Sequence, residues 1–181
     1  MVTDLKFSML HDDWQVPGPG TFISPAASGA DDKREQVLIF GERLRNGSIQ
    51  ADITLMDSVA ARAGEKQLEA DLVVRYVGPD GFYYAGTSAW DSKFFIAKVL
   101  PGPFYQSRQN VGRRGSIRPN KTYRLRLDFN GSQISLHEND VQQLVLLDES
   151  YQVGQCGLRT YKTQARFENV EIHRAQPKAF L

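Results

Sequence analysis

The stretch TYRLRLDFNGSQISLHE, Thr122–Glu138, decides the fold class. Leu125, Leu127 and Phe129 alternate with Arg124, Arg126 and Asp128. Alternation of this kind puts successive side chains on opposite faces of a strand, one face for a core and one for water. Asn130-Gly131 follows, a dipeptide suited to the positive φ values of a tight hairpin turn. Ile134 and Leu136 then share one face, with Ser135 and His137 on the other. The segment is a half-buried β-hairpin, and an isolated hairpin is not stable in water without more strands to cover its apolar face.

The same period recurs on both sides of this hairpin. Ile49, Ala51, Ile53 and Leu55 alternate upstream, and Leu68, Ala70, Leu72, Val74 and Tyr76 follow them. Further strands are expected in GFYYAGTSAW, KFFIAKVL, QQLVLLD, QCGLRTY and ARFENVEIH. Turn signals separate these runs: PGPG at 17–20, NG at 46–47, GPDG at 78–81, PGP at 101–103 and END at 138–140. Many short strands between such turns predict an all-β sandwich or barrel. Asp57–Lys66 is the one stretch that reads as a short helix, with Asp57 or Ser58 as cap and three alanines inside. Ser24–Glu35 is small and polar and is expected to be a flexible loop, and 175–181 a tail. No repeat or second domain interrupts the 181 residues, so a single domain over 1–181 is expected.

Composition narrows the function classes. There are 22 basic and 21 acidic residues, a net charge of +1, which gives no global attraction to nucleic acid or an anionic membrane. No apolar run approaches the roughly 20 residues of a membrane-spanning helix. The N-terminus carries Asp4 early and lacks the pattern of a secretory leader. With Met1 as native start the expected location is the cytoplasm; export followed by removal of a leader is the alternative. Cys156, the sole cysteine, lies between Gly154 and Gly157 and is expected to be a small buried thiol.

The order of several features resembles the concanavalin A-like lectin/glucanase superfamily, in its laminin G-like and glycosidase-associated branches. The features are Arg75-Tyr76, the turn Gly78–Gly81 and the run Phe82-Tyr83-Tyr84. They continue with Tyr123-Arg124-Leu125, Asn130-Gly131, Ile134–His137, the glycines 154 and 157, and the closing Phe167–Ile172. The likeness spans Val37 to His173. It implies a jelly-roll β-sandwich of two antiparallel sheets of about six strands each, one concave, with Leu5–Leu10 near the closing strand.

Members of that superfamily include glycosidases with a Glu-x-Asp-x-(x)-Glu strand. Here Glu69-Ala70-Asp71 is the nearest match, but Val73 and Val74 follow and the third carboxylate is missing. Retaining hydrolysis needs a positioned pair of carboxyl groups; with the third acid missing, Glu69 and Asp71 are expected to be a solvated or loop-facing pair, and no catalytic residue is assigned. An atypical hydrolase or lyase with dispersed acids (Glu42, Asp52, Glu69, Asp128) and a protein-interaction scaffold are the alternatives. The three histidines are scattered, so no metal site is expected. Calcium stays possible through Asp12-Asp13 and Asp31-Asp32, although no loop offers enough oxygen ligands. Arg108, Arg113, Arg114, Arg118 and Lys121 make a basic segment, expected to be a solvated hairpin tip.

The leading expectation is a non-catalytic binding module for a carbohydrate, with a glycan or a protein as partner. Sugars stack their C–H faces on aromatic rings and share hydroxyl protons with planar polar groups. The resemblance implies that Arg75, Tyr83, Trp90, Arg159 and Tyr161 line the concave sheet. In the closing segment, Leu158 and Thr160 alternate with Arg159 and Tyr161, and a turn is expected at 162–164. Ala165 and Phe167 then fall out of step with Val170 and Ile172. A β-bulge at Glu168-Asn169 would bring all four to one face of a closing hairpin.

Overall fold

A computed structural model describes residues 7–9, 13–26, 35–56, 68–89, 91–102 and 106–175, with backbone alone at 7–9 and 106–110. The expected helix at 57–66, Trp90, residues 27–34 of the expected loop and the end of the tail lie outside the described residues.

Among the described residues, fourteen strands follow in chain order. They are β1 (Phe7–Met9), β2 (Gln15–Gly18), β3 (Thr21–Ile23), β4 (Glu35–Leu44), β5 (Gly47–Leu55), β6 (Glu69–Gly78) and β7 (Gly81–Ser88). The rest are β8 (Lys93–Leu100), β9 (Gln106–Arg114), β10 (Thr122–Asn130), β11 (Gln133–Glu138), β12 (Val141–Leu147), β13 (Gly154–Tyr161) and β14 (Ala165–Arg174). They form two seven-stranded antiparallel sheets. Sheet A runs β1-β4-β13-β6-β7-β8-β9 and sheet B runs β12-β11-β10-β5-β14-β3-β2. Each sheet thus holds one strand more than the resemblance implied, and no helix occurs among the described residues.

The Thr122–Glu138 hairpin is β10–β11, with Leu127 opposite Leu136 and Phe129 opposite Ile134. These four side chains are buried between the sheets with Ile49, Ile53, Leu72, Ile96, Leu158 and Phe167. Each such side chain contributes about 1.5–3 kcal/mol on removal from water. Burying this layer is what holds the sheets face to face.

A second apolar layer lies on the outer face of sheet A, turned away from sheet B. Val37, Ile39, Val73, Tyr76, Phe82, Tyr84, Phe95, Ala97 and Val99 are all buried there. Sheet A therefore buries both faces over its central strands, and all eight residues of β7 are buried. Such strands read as continuous apolar runs rather than alternating ones.

The bulge at Glu168-Asn169 is present. Glu168 pairs with Asp52 and Glu171 with Gln50, so two residues of β14 oppose one of β5. Asn169 takes a φ of 52°, and Ala165, Phe167, Val170 and Ile172 are all buried in the same layer.

Three expectations about connections are corrected. β13 and β14 belong to different sheets, so 162–164 is a corner that carries the chain across the sandwich, not a hairpin turn. That corner is fixed by backbone bonds from Met56 N–H to Gln164 O and from Ser24 N–H to Ala165 O. These also tie Ser24, the start of the expected loop, into the core. Within the Leu5–Leu10 region only Phe7–Met9 is described, and it is not beside the closing strand: β1 pairs with β4 in sheet A, while β3 and β5 flank β14. The basic segment is not a hairpin tip either, because Gln106–Arg114 forms strand β9 at the edge of sheet A.

Candidate functional site

Strand register builds the site on the outer face of sheet A. One row of opposed residues crosses the sheet as Phe95, Gly86, Asp71, Arg159 and Val37. The adjacent row is Lys93, Ser88, Glu69, Tyr161 and Glu35, a polar band beside the apolar layer. Arg159 thus has Asp71 directly across, Glu69 and Glu35 on the diagonals, and Tyr84 one strand beyond Asp71.

The Arg159 guanidinium answers all of them. Its Nε donates to Glu35 Oε1, and Nη1 donates to Asp71 Oδ2 and, at 3.0 Å, to Glu69 Oε2. Its Cζ lies 4.1 Å from the centre of the Tyr84 ring and 5.7 Å from that of Tyr161. Arg159 and Asp71 are buried, whereas Glu35 and Glu69 keep about a fifth of their side chains exposed (20% and 22%). Desolvation penalises the Arg159 cation, but the charges around it, Glu35 first, outweigh that and hold its pKa well above the usual range. Desolvation raises Asp71 well above the ordinary carboxylate range, and the nearby Glu69 charge adds to the rise against the pull of Arg159.

Gly86 makes room for this arrangement. A Cβ there would lie 2.2 Å from Ala70 O and 2.6 Å from Asp71 Oδ1. Among the described residues, Asp71 Oδ1 is buried without a hydrogen-bond partner. A side chain at position 86 would push the carboxylate out of line with Arg159.

The expected site residues divide. Arg159 and Tyr161 do share the outer face of sheet A, although Arg159 is buried rather than exposed. Trp90 lies outside the described residues. Tyr83 is corrected: it points between the sheets, donates to Asp148 Oδ1 and accepts from Tyr151 N–H at 3.2 Å. Burial and the Asp148 hydrogen bond push its hydroxyl up to about 12. Arg75 is corrected as well. The register of β6 on β7 shifts between Val74 and Gly78, and Arg75 adopts a φ of 54°. The bulge sends Arg75 into the end of the sandwich and swings Tyr76 to the outer face.

Tyr84 is the residue that sequence reasoning missed. The pairing of Val73 with Tyr84 gives its face at once, but that pairing cannot be read from a strand whose every side chain is buried. The pair Glu69–Asp71 is not a solvated one: Asp71 is fully buried and Glu69 is only partly exposed, and both are bound to Arg159 Nη1. Cys156 is buried as expected, and burial pushes its thiol up to about 12. The alternative set of dispersed acids does not converge. Glu42 is bound by Arg174, Asp52 accepts from Asn169, and Asp128 pairs with Arg126 and His137. Among the described residues no group of three or more His, Cys, Asp or Glu could hold a metal ion, and Asp12, Asp31 and Asp32 of the calcium expectation lie outside the described residues.

No protein-family model and no curated protein matches the sequence. Solved structures do match the fold. A carbohydrate-binding module, CBM66 from Bacillus subtilis, superposes with a TM-score of 0.75 at 17% identity, over 92% of this chain and 94% of that one. The exoplasmic/lumenal domain of VIP36, in its Ca2+/Man3GlcNAc-bound form, gives 0.63 at 6% identity, over 97% and 85%. The Caenorhabditis elegans galectin LEC-6 gives 0.54 at 11% identity, over 84% and 96%. The fold is a two-sheet antiparallel β-sandwich similar to the lectin-like folds of these structures. It is an architecture shared with carbohydrate-binding modules and galectins.

Proposed function

We propose that the protein is a non-catalytic binding module that recognises a carbohydrate at the polar band on the outer face of sheet A. The observation that carries this reading is the Arg159 cluster. One buried cation holds Glu35 and Glu69 in fixed orientations beside the half-buried ring of Tyr161. A fixed carboxylate at a half-open rim accepts sugar hydroxyl protons without losing side-chain entropy, and a neighbouring ring offers a stacking surface. The likeness in fold to a carbohydrate-binding module and a galectin adds to this reading.

The same cluster argues against hydrolysis. Glycoside cleavage needs one carboxyl group as acid and another as nucleophile or base. Asp71 has no exposed surface, so it cannot serve Glu69 as the second acting carboxyl group.

A glycan array followed by calorimetry tests the proposal. Binding to a defined glycan class is expected, weakened about tenfold or more by Tyr161→Ala and by Glu69→Gln, the size of one charge-assisted hydrogen bond. Unaltered affinity in both variants would remove the outer face of sheet A as the site. Release of reducing sugar from a bound glycan would show that the protein is an enzyme instead.

A further inference from the structure

Arg75 lies at one end of the sandwich and is fully buried. It donates through Nη2 to Gly131 O at 2.6 Å and Arg45 O at 3.1 Å, and through Nη1 to Tyr151 O at 2.9 Å. Its Cζ lies 5.6 Å from the centre of the Phe129 ring. Its acceptors are neutral carbonyls; among the described residues no carboxylate pairs with it. Its Nε is buried without a partner. A buried cation held only by carbonyl dipoles is an incompletely compensated charge, and desolvation lowers its pKa accordingly.

A pocket of about 210 Å³ opens over this arginine, between the β4–β5 and β10–β11 turns and the segment after β12. Its walls carry donors. Arg45 is exposed and spends Nη1 on Gln152 Oε1 at 3.3 Å, which leaves its other N–H groups. Asn46 accepts the Gly131 N–H through Oδ1 at 3.0 Å, which leaves its NH2 group. Ser132 adds a hydroxyl. Glu149, exposed, is the one acid lining the pocket, so two cations face one anion. The neighbouring Asp148 is already bound by Lys98 and Tyr83.

We propose that this pocket binds an oxyanion, the group shared by inorganic sulfate, sulfate esters and uronic acids. Arg75 supplies the charge beneath the site, and Arg45, Asn46 and Ser132 supply directed donors. Planar arginine forks and amide N–H groups suit oxyanions because their hydrogen bonds to a charged acceptor are the strong ones. The site lies at the end of the sandwich, away from the polar band around Arg159, so either site can fail without the other.

Amide chemical shifts of the full chain, titrated with sodium sulfate, sodium glucuronate and glucose against sodium chloride at equal ionic strength, test the proposal. Saturable shifts at Asn46, Gly131, Ser132 and Gln152 are expected with sulfate, glucuronate or both. Sulfate alone marks a tetrahedral anion, glucuronate alone a carboxylate. Arg45→Gln, an exposed change that leaves the fold intact, is expected to weaken binding roughly tenfold. Glu149→Gln is expected to tighten it about fivefold by removing the opposing charge. Shifts no larger than with chloride would overturn the proposal, as would equal shifts with glucose or unchanged affinity in both variants. Arg75 would then be a staple for three turns and nothing more.

Discussion

The guanidinium of Arg159 lies over the face of Tyr84 at 4.1 Å, although β6 separates their two strands. The reach is possible because Gly86 and Gly157 leave the outer face of sheet A without side chains beside Asp71 and Val73. One cation, three carboxylates and two aromatic rings form a single polar unit set into an apolar layer.

Removing the cation from that unit leaves acids without compensation. Arg159→Met is expected to cost about 3–5 kcal/mol, the usual loss when one partner of a buried ion pair is deleted. Urea denaturation measures it. A loss under about 1 kcal/mol would mean that water, not Arg159, solvates Asp71 and Glu69.

Gly86→Ala tests the packing of the same unit. The new methyl would meet the Ala70 carbonyl oxygen, a backbone atom that cannot move without shifting β6. Overpacking of this kind is expected to cost about 1–3 kcal/mol. Wild-type stability in thermal unfolding would show that the sheet relaxes freely at this point.

The acid limb of stability should depend on Asp148. Burial pushes this carboxyl up, but hydrogen bonds from Lys98, Tyr83 and Ser150 outweigh burial and hold it well below its ordinary value of 3.8. At pH values just below 3.8 the unfolded chain therefore binds the proton more readily than the folded one. The contribution is complete above that pH and is lost as the pH falls towards the folded value. Urea midpoints taken from pH 6 to pH 2 should fall less steeply in Asp148→Asn than in the wild type. Parallel curves would show that other carboxylates dominate acid unfolding.

At the bulge of β14, Asn169 occupies a left-handed conformation that β-branched residues resist. Asn169→Val is expected to destabilise by about 1–2 kcal/mol. Asn169→Gly should stay within about 0.5 kcal/mol, because glycine tolerates positive φ and the lost bond to Asp52 is exposed. Equal losses in both variants would point to that hydrogen bond rather than to the backbone.

Much of sheet B was legible in the sequence because one of its faces meets water. The alternation of β5, β10 and β11 gave their inward residues correctly, and the broken alternation of Phe167 and Val170 disclosed the bulge. That Arg159 and Tyr161 share a face is legible from the alternation of β13 itself, although Arg159 is buried rather than water-facing. In β7, by contrast, Phe82, Tyr83 and Tyr84 are all apolar enough to be buried, and no chemical contrast tells one face from the other. The sequence therefore does not distinguish the inward face of Tyr83 from the outward face of Tyr84. At Arg75 the parity was broken by a bulge that no repeated pattern announces.

The amino-acid sequence by itself determined that this chain makes paired strands around a shared core, because period-two patterning and turn residues act over a few neighbours at a time. Which strands lie side by side was decided only in the folded chain. That adjacency brings Asp71, Tyr84 and Arg159 together, and it places Arg45 and Arg75 around one pocket. The physical reason is that register across a sheet depends on hydrogen-bonded partners far apart in sequence, and a shift of one residue exchanges the two faces.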